Sequence, residues 1–211
     1  MVWAVAYGDE MNEKQESLLK AVKTAVAKYG LSGVTTRNVA EIAQVNDAYI
    51  YHFFKDKEDL LLQAYCYENG RIFQSILYAI DKVSPLSQSF REKARMCFQR
   101  IWKTMLSDPE RLTFCVFYYH SAHFKNAEEY HNGQLEELHK RLGEFFPNKE
   151  VCSQTMYAVC TLLYDSAYSV VSGQEEDTEA YAERVLEMES AVIESMMDNK
   201  GTLCAKDSEL K

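Results

Sequence analysis

Proline and glycine are scarce in this chain, three and eight residues in 211. Segments that alternate apolar and polar side chains are scarcer still. Sheet-rich folds need turn residues at short intervals and a period of two, so β-sandwiches, barrels and collagen-like or linker sequences are excluded. Long hydrophobic runs are absent too: none approaches the roughly 20 apolar residues that a membrane helix requires. The apolar opening Val2–Tyr7 is short and no basic residue precedes it, so it does not read as a signal peptide. The expectation is a cytoplasmic protein without a membrane partner. The six cysteines (Cys66, Cys97, Cys115, Cys152, Cys160, Cys204) are scattered, with no Cys-x-x-Cys pair. That spacing provides neither a disulfide framework nor a zinc ribbon, and in a reducing compartment these thiols act as small apolar side chains. A surplus of positive charge is also missing. The formal net charge is −9, against the basic balance usual for a nucleic-acid binder.

What remains is helical. With 47% hydrophobic and 26% charged residues, the chain has the composition of a globular protein that can bury a core. Its prolines stand in Ser84-Pro85, Asp108-Pro109 and Phe146-Pro147, outside every periodic segment, and each marks a helix boundary. Apolar periodicity predicts a first helix over 12–29, two short helices between 36 and 54, and a long helix over 58–83. Further helices are predicted near 87–106, 109–125, 127–146, 149–172 and 178–198. In the first, Leu18, Val22, Val26 and Tyr29 share one stripe. Leu135, Leu138, Leu142 and Phe145 form a seam in the seventh, and Val185, Met188, Val192 and Met196 in the last. Gly30 and Gly173 read as helix stops. The fold class is all-α, with about nine helices.

Charge is unevenly distributed. Residues 12–62 carry seven basic and seven acidic side chains, so that segment is neutral and the acidity belongs mostly to the rest. Within it, Thr35 is placed to cap a short helix whose inner face is Val39, Ala40, Ile42 and Ala43. Gln44 and Val45 form a tight turn, with Val45 as its plug. Asn46 then caps a second short helix with Ile50 and Phe54 facing the core. Two short helices joined by a turn of three to four residues make a helix-turn-helix at about 35–54.

At this point the chain resembles the tetracycline-repressor (TetR) family of regulators. The resemblance covers 14 to about 62 and rests on Gly33-Val34-Thr35-Thr36-Arg37, Val39-Ala40 and Ala43-x-Val45. It continues through Ile50-Tyr51-x-x-Phe54-Lys55-Asp56-Lys57-Glu58-x-Leu60. Two positions depart from the family's pattern. Gln44 stands where glycine is usual in the turn, and Phe53 where histidine is frequent, with His52 beside it to take the same phosphate contact. The resemblance implies a DNA-binding head over 12–58 and a ligand-binding, dimerising body over 59–211. It implies that Thr35, Thr36 and Arg37 hold a phosphate at a helix start. Asn46, Asp47, Ala48 and Tyr49 open the reading helix. Asp47 can accept from a cytosine amino group, and Ala48 can touch a thymine methyl. Tyr51, His52, Lys55 and Lys57 are assigned to the DNA backbone. Packing of Tyr51 and Phe53 against the first helix is the competing role for those two rings.

In the body, 87–125 is rich in aromatic and soft side chains. The resemblance implies an effector pocket between it and the 149–172 helix, with Met96, Trp102, Phe117, Tyr118, His120, Tyr157 and Tyr164 as its candidates. His120-x-x-His123 has the spacing of two metal ligands on one helical face, with Cys115 one turn and a half earlier, but no sequence-local residue completes a ligand set, so no metal or other cofactor is expected. No nucleophile elbow, phosphate loop or zinc-protease motif is present, and the chain is not expected to be an enzyme. The expected function is sequence-specific regulation of transcription by a homodimer on palindromic double-stranded DNA. Release by a small apolar or aromatic effector would make it a repressor. An activator on the same fold, or a relative that acts through protein partners, stays open.

Overall fold

The computed structural model describes residues 12–198. The apolar opening and Cys204 lie outside the described residues. Among the described residues there are nine α-helices and no strand. They are α1 (Glu13–Gly33), α2 (Thr36–Ile42), α3 (Ile50–Phe53), α4 (Lys57–Val83) and α5 (Phe90–Leu106). The remainder are α6 (Pro109–Tyr119), α7 (Glu128–Leu142), α8 (Lys149–Val171) and α9 (Glu179–Asp198). Short 3-10 turns cover Asp47–Tyr49, Ala122–Ala127 and Gly143–Phe145. None of the described helices is long and apolar enough to cross a membrane.

Helix starts follow local chemistry. Asn12, Thr35, Asp108 and Asn148 each accept a hydrogen bond from a first-turn amide, in α1, α2, α6 and α8. α5 begins at Phe90 rather than near 87 because Ser89 and Glu92 form a reciprocal cap: the Ser89 amide donates to Glu92 and the Glu92 amide to Ser89 Oγ. Gly30 and Gly173 both take positive φ, 69° and 75°. Gly173 follows the end of α8, whereas Gly30 kinks α1 and the helix resumes as far as Gly33. Tyr29, beside the kink, is 42% exposed and not part of the buried stripe formed by Leu18, Val22 and Val26.

The predicted 109–125 helix is cut short. α6 ends at Tyr119, and Ser121 starts a new turn by donating to the Tyr118 carbonyl and accepting from the His123 amide. A serine that satisfies backbone groups locally competes with helix continuation. His120 and His123 therefore do not share a helical face. His123 pairs instead with Glu58, at 2.5 Å. Among the described residues no cluster of three metal-ligating side chains occurs.

The chain packs as two compact units. The first holds the chain up to Gln74 together with Ser107–His131, and the second holds Ser75–Leu106 and the chain from Asn132 onward. In the first unit α1 packs on α2 and on α6. A buried charge cluster joins α1, α4 and α6. The Arg111 guanidinium donates to Glu68, which is 0% exposed, at 2.7 Å, and also pairs with Asp108; Lys23 pairs with Asp108 at 2.5 Å. Burial pushes the Asp108 carboxyl up, but the Lys23 hydrogen bond, the Arg111 amide and both cations bring it below its ordinary value. In the second unit α8 and α9 pack along each other and on α5. The inner face of α9 is Val185, Leu186, Glu189 and Ser190, while Met188 is 47% exposed. The predicted α9 seam is thus rotated, since Met188 lies about 100° around the helix from its buried neighbour Glu189.

Candidate DNA-reading surface and effector cavity

The first candidate site is built on α2 and α3. Val39 and Ala40 of α2, Ile50 of α3 and Phe54 after it are buried, so two very short helices are held by their inner faces. Thr35 Oγ1 accepts from the Asn38 amide at 3.1 Å, and Asn38 Oδ1 accepts from the Thr35 amide at 2.9 Å. Asn38 Nδ2 also donates to the Gly33 carbonyl. This closed box fixes the approach to α2, and Asn38, absent from the sequence-derived site, was signalled only by its place three residues after a capping threonine. At the turn Gln44 takes φ 56°, the left-handed region that glycine enters without a Cβ clash. The Val45 amide returns to the Ala40 carbonyl, and Asn46 Oδ1 accepts from the Ala48 amide at 2.9 Å. The reading helix is composite, a 3-10 turn over Asp47–Tyr49 running into α3.

With the inner faces buried, the remaining side chains point to solvent. Thr35, Arg37, Asn46, Asp47, Ala48, Tyr49, Tyr51, His52 and Lys55 are exposed; Thr36 and Lys57 are half-buried. Tyr51 is 64% exposed, which rules out packing against α1 as its role, whereas Phe53 is half-buried beside Phe54. Tyr49 is positioned from two sides. Lys14 Nζ, from α1, lies 3.1 Å from its hydroxyl and 4.2 Å from its ring centre. The His52 ring meets it edge-on at 5.6 Å. Lys14 thereby adds a cation to this surface, and no local motif announces it, because 35 residues separate it from Tyr49. Below, the Asp56 carboxylate accepts from the Asp59 amide and Asp59 from the Lys55 amide, which fixes the chain's entry into α4.

The second candidate site lies wholly in the second unit: a cavity of about 190 Å³ walled by α4, α5, α7, α8 and α9. An apolar cavity of roughly 150 Å³ admits a benzene ring, so this one has room for a small ligand. Its apolar wall includes Ile80, Phe98, Leu142, Phe145, Met156 and Leu163. Leu138, Leu142 and Phe145 of the predicted α7 seam all line it; Leu138 is buried, Leu142 and Phe145 are half-buried, and Phe145 also packs against Phe90 of α5 at 5.6 Å. Two helices expected to frame a pocket, α5 and α8, do wall it, but the seven side chains named for it do not line it. Trp102 is buried against Phe98 and Tyr181, Met96 and Tyr157 are 42% and 53% exposed, and Tyr164 is half-buried. Phe117, Tyr118 and His120 belong to the first unit, where Tyr118 stacks on Tyr65 at 4.4 Å and His120 caps α6. One residue of helical offset separates the named from the observed on α5 and α8, namely Met96 from Cys97 and Tyr157 from Met156.

The cavity has one polar feature that its composition did not announce. Glu189, on α9, is 6% exposed, and its Oε1 has no hydrogen-bond partner. Burial pushes its carboxyl up to about 8. Burial, then the charge of Glu189, raises the Cys160 thiol to about 12. Lys93, also in the wall, donates to the Ser84 carbonyl at 2.9 Å.

Comparison with known proteins locates the chain. The family model described as "Bacterial regulatory proteins, tetR family" matches residues 18–64, the segment that builds the reading surface. An uncharacterised HTH-type transcriptional regulator of Haemophilus influenzae is 26% identical over 111 residues, 53% of this chain and 57% of that protein. The chain thus aligns with little more than half the length of that curated relative. Among solved structures, a TetR family transcription regulator from Marinobacter aquaeolei superposes with a TM-score of 0.66 at 20% identity, covering 85% of this chain and 94% of the other. The regulator FadR from Bacillus subtilis, in complex with stearoyl-CoA, gives 0.64 at 16% identity, covering 86% and 97%. At such identities the shared feature is the fold. Residues 18–64 thus carry the pattern of the tetR family of bacterial regulatory proteins, and the all-helical fold behind them is the one shared with these solved regulators.

Proposed function

We propose that the chain is a cytoplasmic, homodimeric transcription regulator that binds palindromic operator DNA and is released by a small apolar or aromatic effector. The observation that carries this reading is the set of exposed side chains between Thr35 and Lys55 on a buried helix-turn-helix scaffold. Tyr49 and Tyr51 face solvent there, although burying them would be the default for aromatic rings. Asp47, Ala48 and Tyr49 read base edges; Thr35, Thr36, Arg37, Tyr51, His52, Lys55 and Lys57 hold phosphates; Asn46 sets the start of the reading helix. The neutral head makes base contacts weigh more against phosphate contacts than in a strongly basic one.

A single reading helix of this length spans too few bases, so two heads are needed, one per half-site. The outward faces of α8 and α9, with Tyr157 and Met188 exposed, are the proposed dimer surface. The effector site is the cavity of the second unit. A ligand-bound relative of the same fold, the stearoyl-CoA complex of FadR, supports a small-molecule site in the body. An effector that prefers one arrangement of the body changes the spacing of the heads through α4, which runs continuously from Lys57 to the cavity wall at Val83.

Selection of bound genomic fragments by the purified protein, followed by salt titration on the recovered site, tests this function. Operator affinity is expected to fall steeply with salt. Tyr49→Ala should cost about 1–3 kcal/mol and relax specificity, while Lys57→Ala should weaken all sequences alike and lower the salt slope by about one. Parent-like retardation by both variants would overturn the site assignment, and weak, salt-insensitive binding would favour a protein partner for the head.

A further inference from the structure

Ligand cavities in helical bodies are mostly apolar, and their few polar groups define what enters. Here that group is a carboxyl. We propose that Glu189 selects ligands with a cationic head, so that the effector is an amphiphile with a primary ammonium or amidinium group on an aliphatic or aromatic body. The proposal rests on the reading of this cavity as the effector site.

Three observations carry it. Glu189 is more than nine-tenths buried, it lines the cavity, and its Oε1 lacks a hydrogen-bond partner. An unsatisfied buried carboxyl is costly, and a family of helices could fill this place with leucine at no such cost. The rest of the wall supplies no cation to it. Lys93 of α5 donates to the Ser84 carbonyl. The other titratable groups in the wall are Glu144, after α7, and two thiols, Cys97 of α5 and Cys160 of α8. Burial raises those thiols to about 11 and about 12, so they stay neutral near pH 7. An ammonium placed at Glu189 satisfies the free oxygen and forms a charge-assisted pair in a water-poor site. An anionic head would face a carboxyl in the same place.

The exchange has a definite proton balance. In the empty cavity the carboxyl holds its proton, since burial lifts it to about 8. A ligand ammonium keeps all its protons, the carboxyl ionises, and one proton passes to solvent. Affinity then rises about tenfold per pH unit from pH 6 toward 8.

The test uses the full chain and three probes of equal length: n-octylamine, 1-octanol and octanoate, by titration calorimetry at pH 7. The expected result is octylammonium binding at least tenfold tighter than octanol, with close to one proton released, read from buffers of different ionisation enthalpy. Glu189→Gln, shown folded by circular dichroism, should lose that preference and the proton release yet bind octanol like the parent. Octanoate binding as tightly as octylammonium, a parent with no proton release, or a Glu189→Gln variant that keeps the preference would each overturn the proposal while leaving the cavity a ligand site. Failure of all three probes to bind would overturn both this proposal and the effector reading.

Discussion

At the residue scale, two positions separate what a side chain costs from what it contributes. Gln44 occupies left-handed backbone at φ 56°, where a Cβ meets its own carbonyl. Gln44→Gly relieves that clash, partly offset by glycine's greater freedom in the unfolded chain, so a net gain of about 0.5–1 kcal/mol is expected. The urea midpoint should rise with an unchanged slope. Glu68 is the opposite case, a fully buried carboxylate held by Arg111 at 2.7 Å. Arg111→Met should cost about 3–5 kcal/mol, because it leaves that charge with only Lys23, 3.7 Å away, whereas the double change Glu68→Leu with Arg111→Met should recover much of the loss. Chemical denaturation of all four forms of the cycle checks this, and simple additivity would mean the pair is not coupled.

At the element scale, the reading helix stands out for its lack of intrinsic stability. A 3-10 turn of three residues followed by four α-helical residues is far below the length at which a helix persists alone. It exists because Ile50 and Phe54 are buried and because Asn46 caps it. Thr35→Ala removes one half of the box with Asn38 and should cost about 1 kcal/mol by thermal melting. Helix number, and most boundaries to within a few residues, were legible because proline, capping residues and 3.6-residue periodicity are local signals. The early end of α6 was not, since it depends on Ser121 satisfying two backbone groups at once. Nor was the orientation of α9. A pattern with apolar residues on several sides fits more than one rotation, and the packing partners α5 and α8 select which becomes internal.

At the scale of the whole molecule, stability should respond to pH through two buried groups of opposite sign. Glu189 has its carboxyl raised from 4.5 to about 8 by burial. The folded state therefore binds its proton more tightly than the unfolded chain does. The corresponding stability is fully present below about pH 4.5 and is lost as pH rises toward 8. His131, hydrogen-bonded to Tyr65 at 3.0 Å, has its ring lowered from 6.5 to about 4 by burial. Its contribution is present above about pH 6.5 and is lost as pH falls through 4. Glu189→Gln should accordingly be more stable than the parent at pH 8, by as much as a few kcal/mol, with the gap closing toward pH 5. Melting curves across that range read the sign directly, and a variant less stable at pH 8 would show that the carboxylate has a partner in solution.

The order of side chains from Thr35 to Leu60 by itself determined the two short helices, their turn and the side chains that face solvent there, because each depends on neighbours within a few positions. Tyr51 is exposed because Ile50 and Phe54 are not, and that alternation is already written in one helical turn. The tertiary structure alone decided where the second unit is hollow. A cavity is what remains after five helices have chosen their rotations, so Cys97, Phe98, Met156 and Glu189 face it while Met96 and Tyr157 do not. It also decided that Lys14 reaches Tyr49 and that a carboxyl lies unpartnered in an apolar wall. Such pairings join residues far apart in the chain, and local propensity carries no record of them.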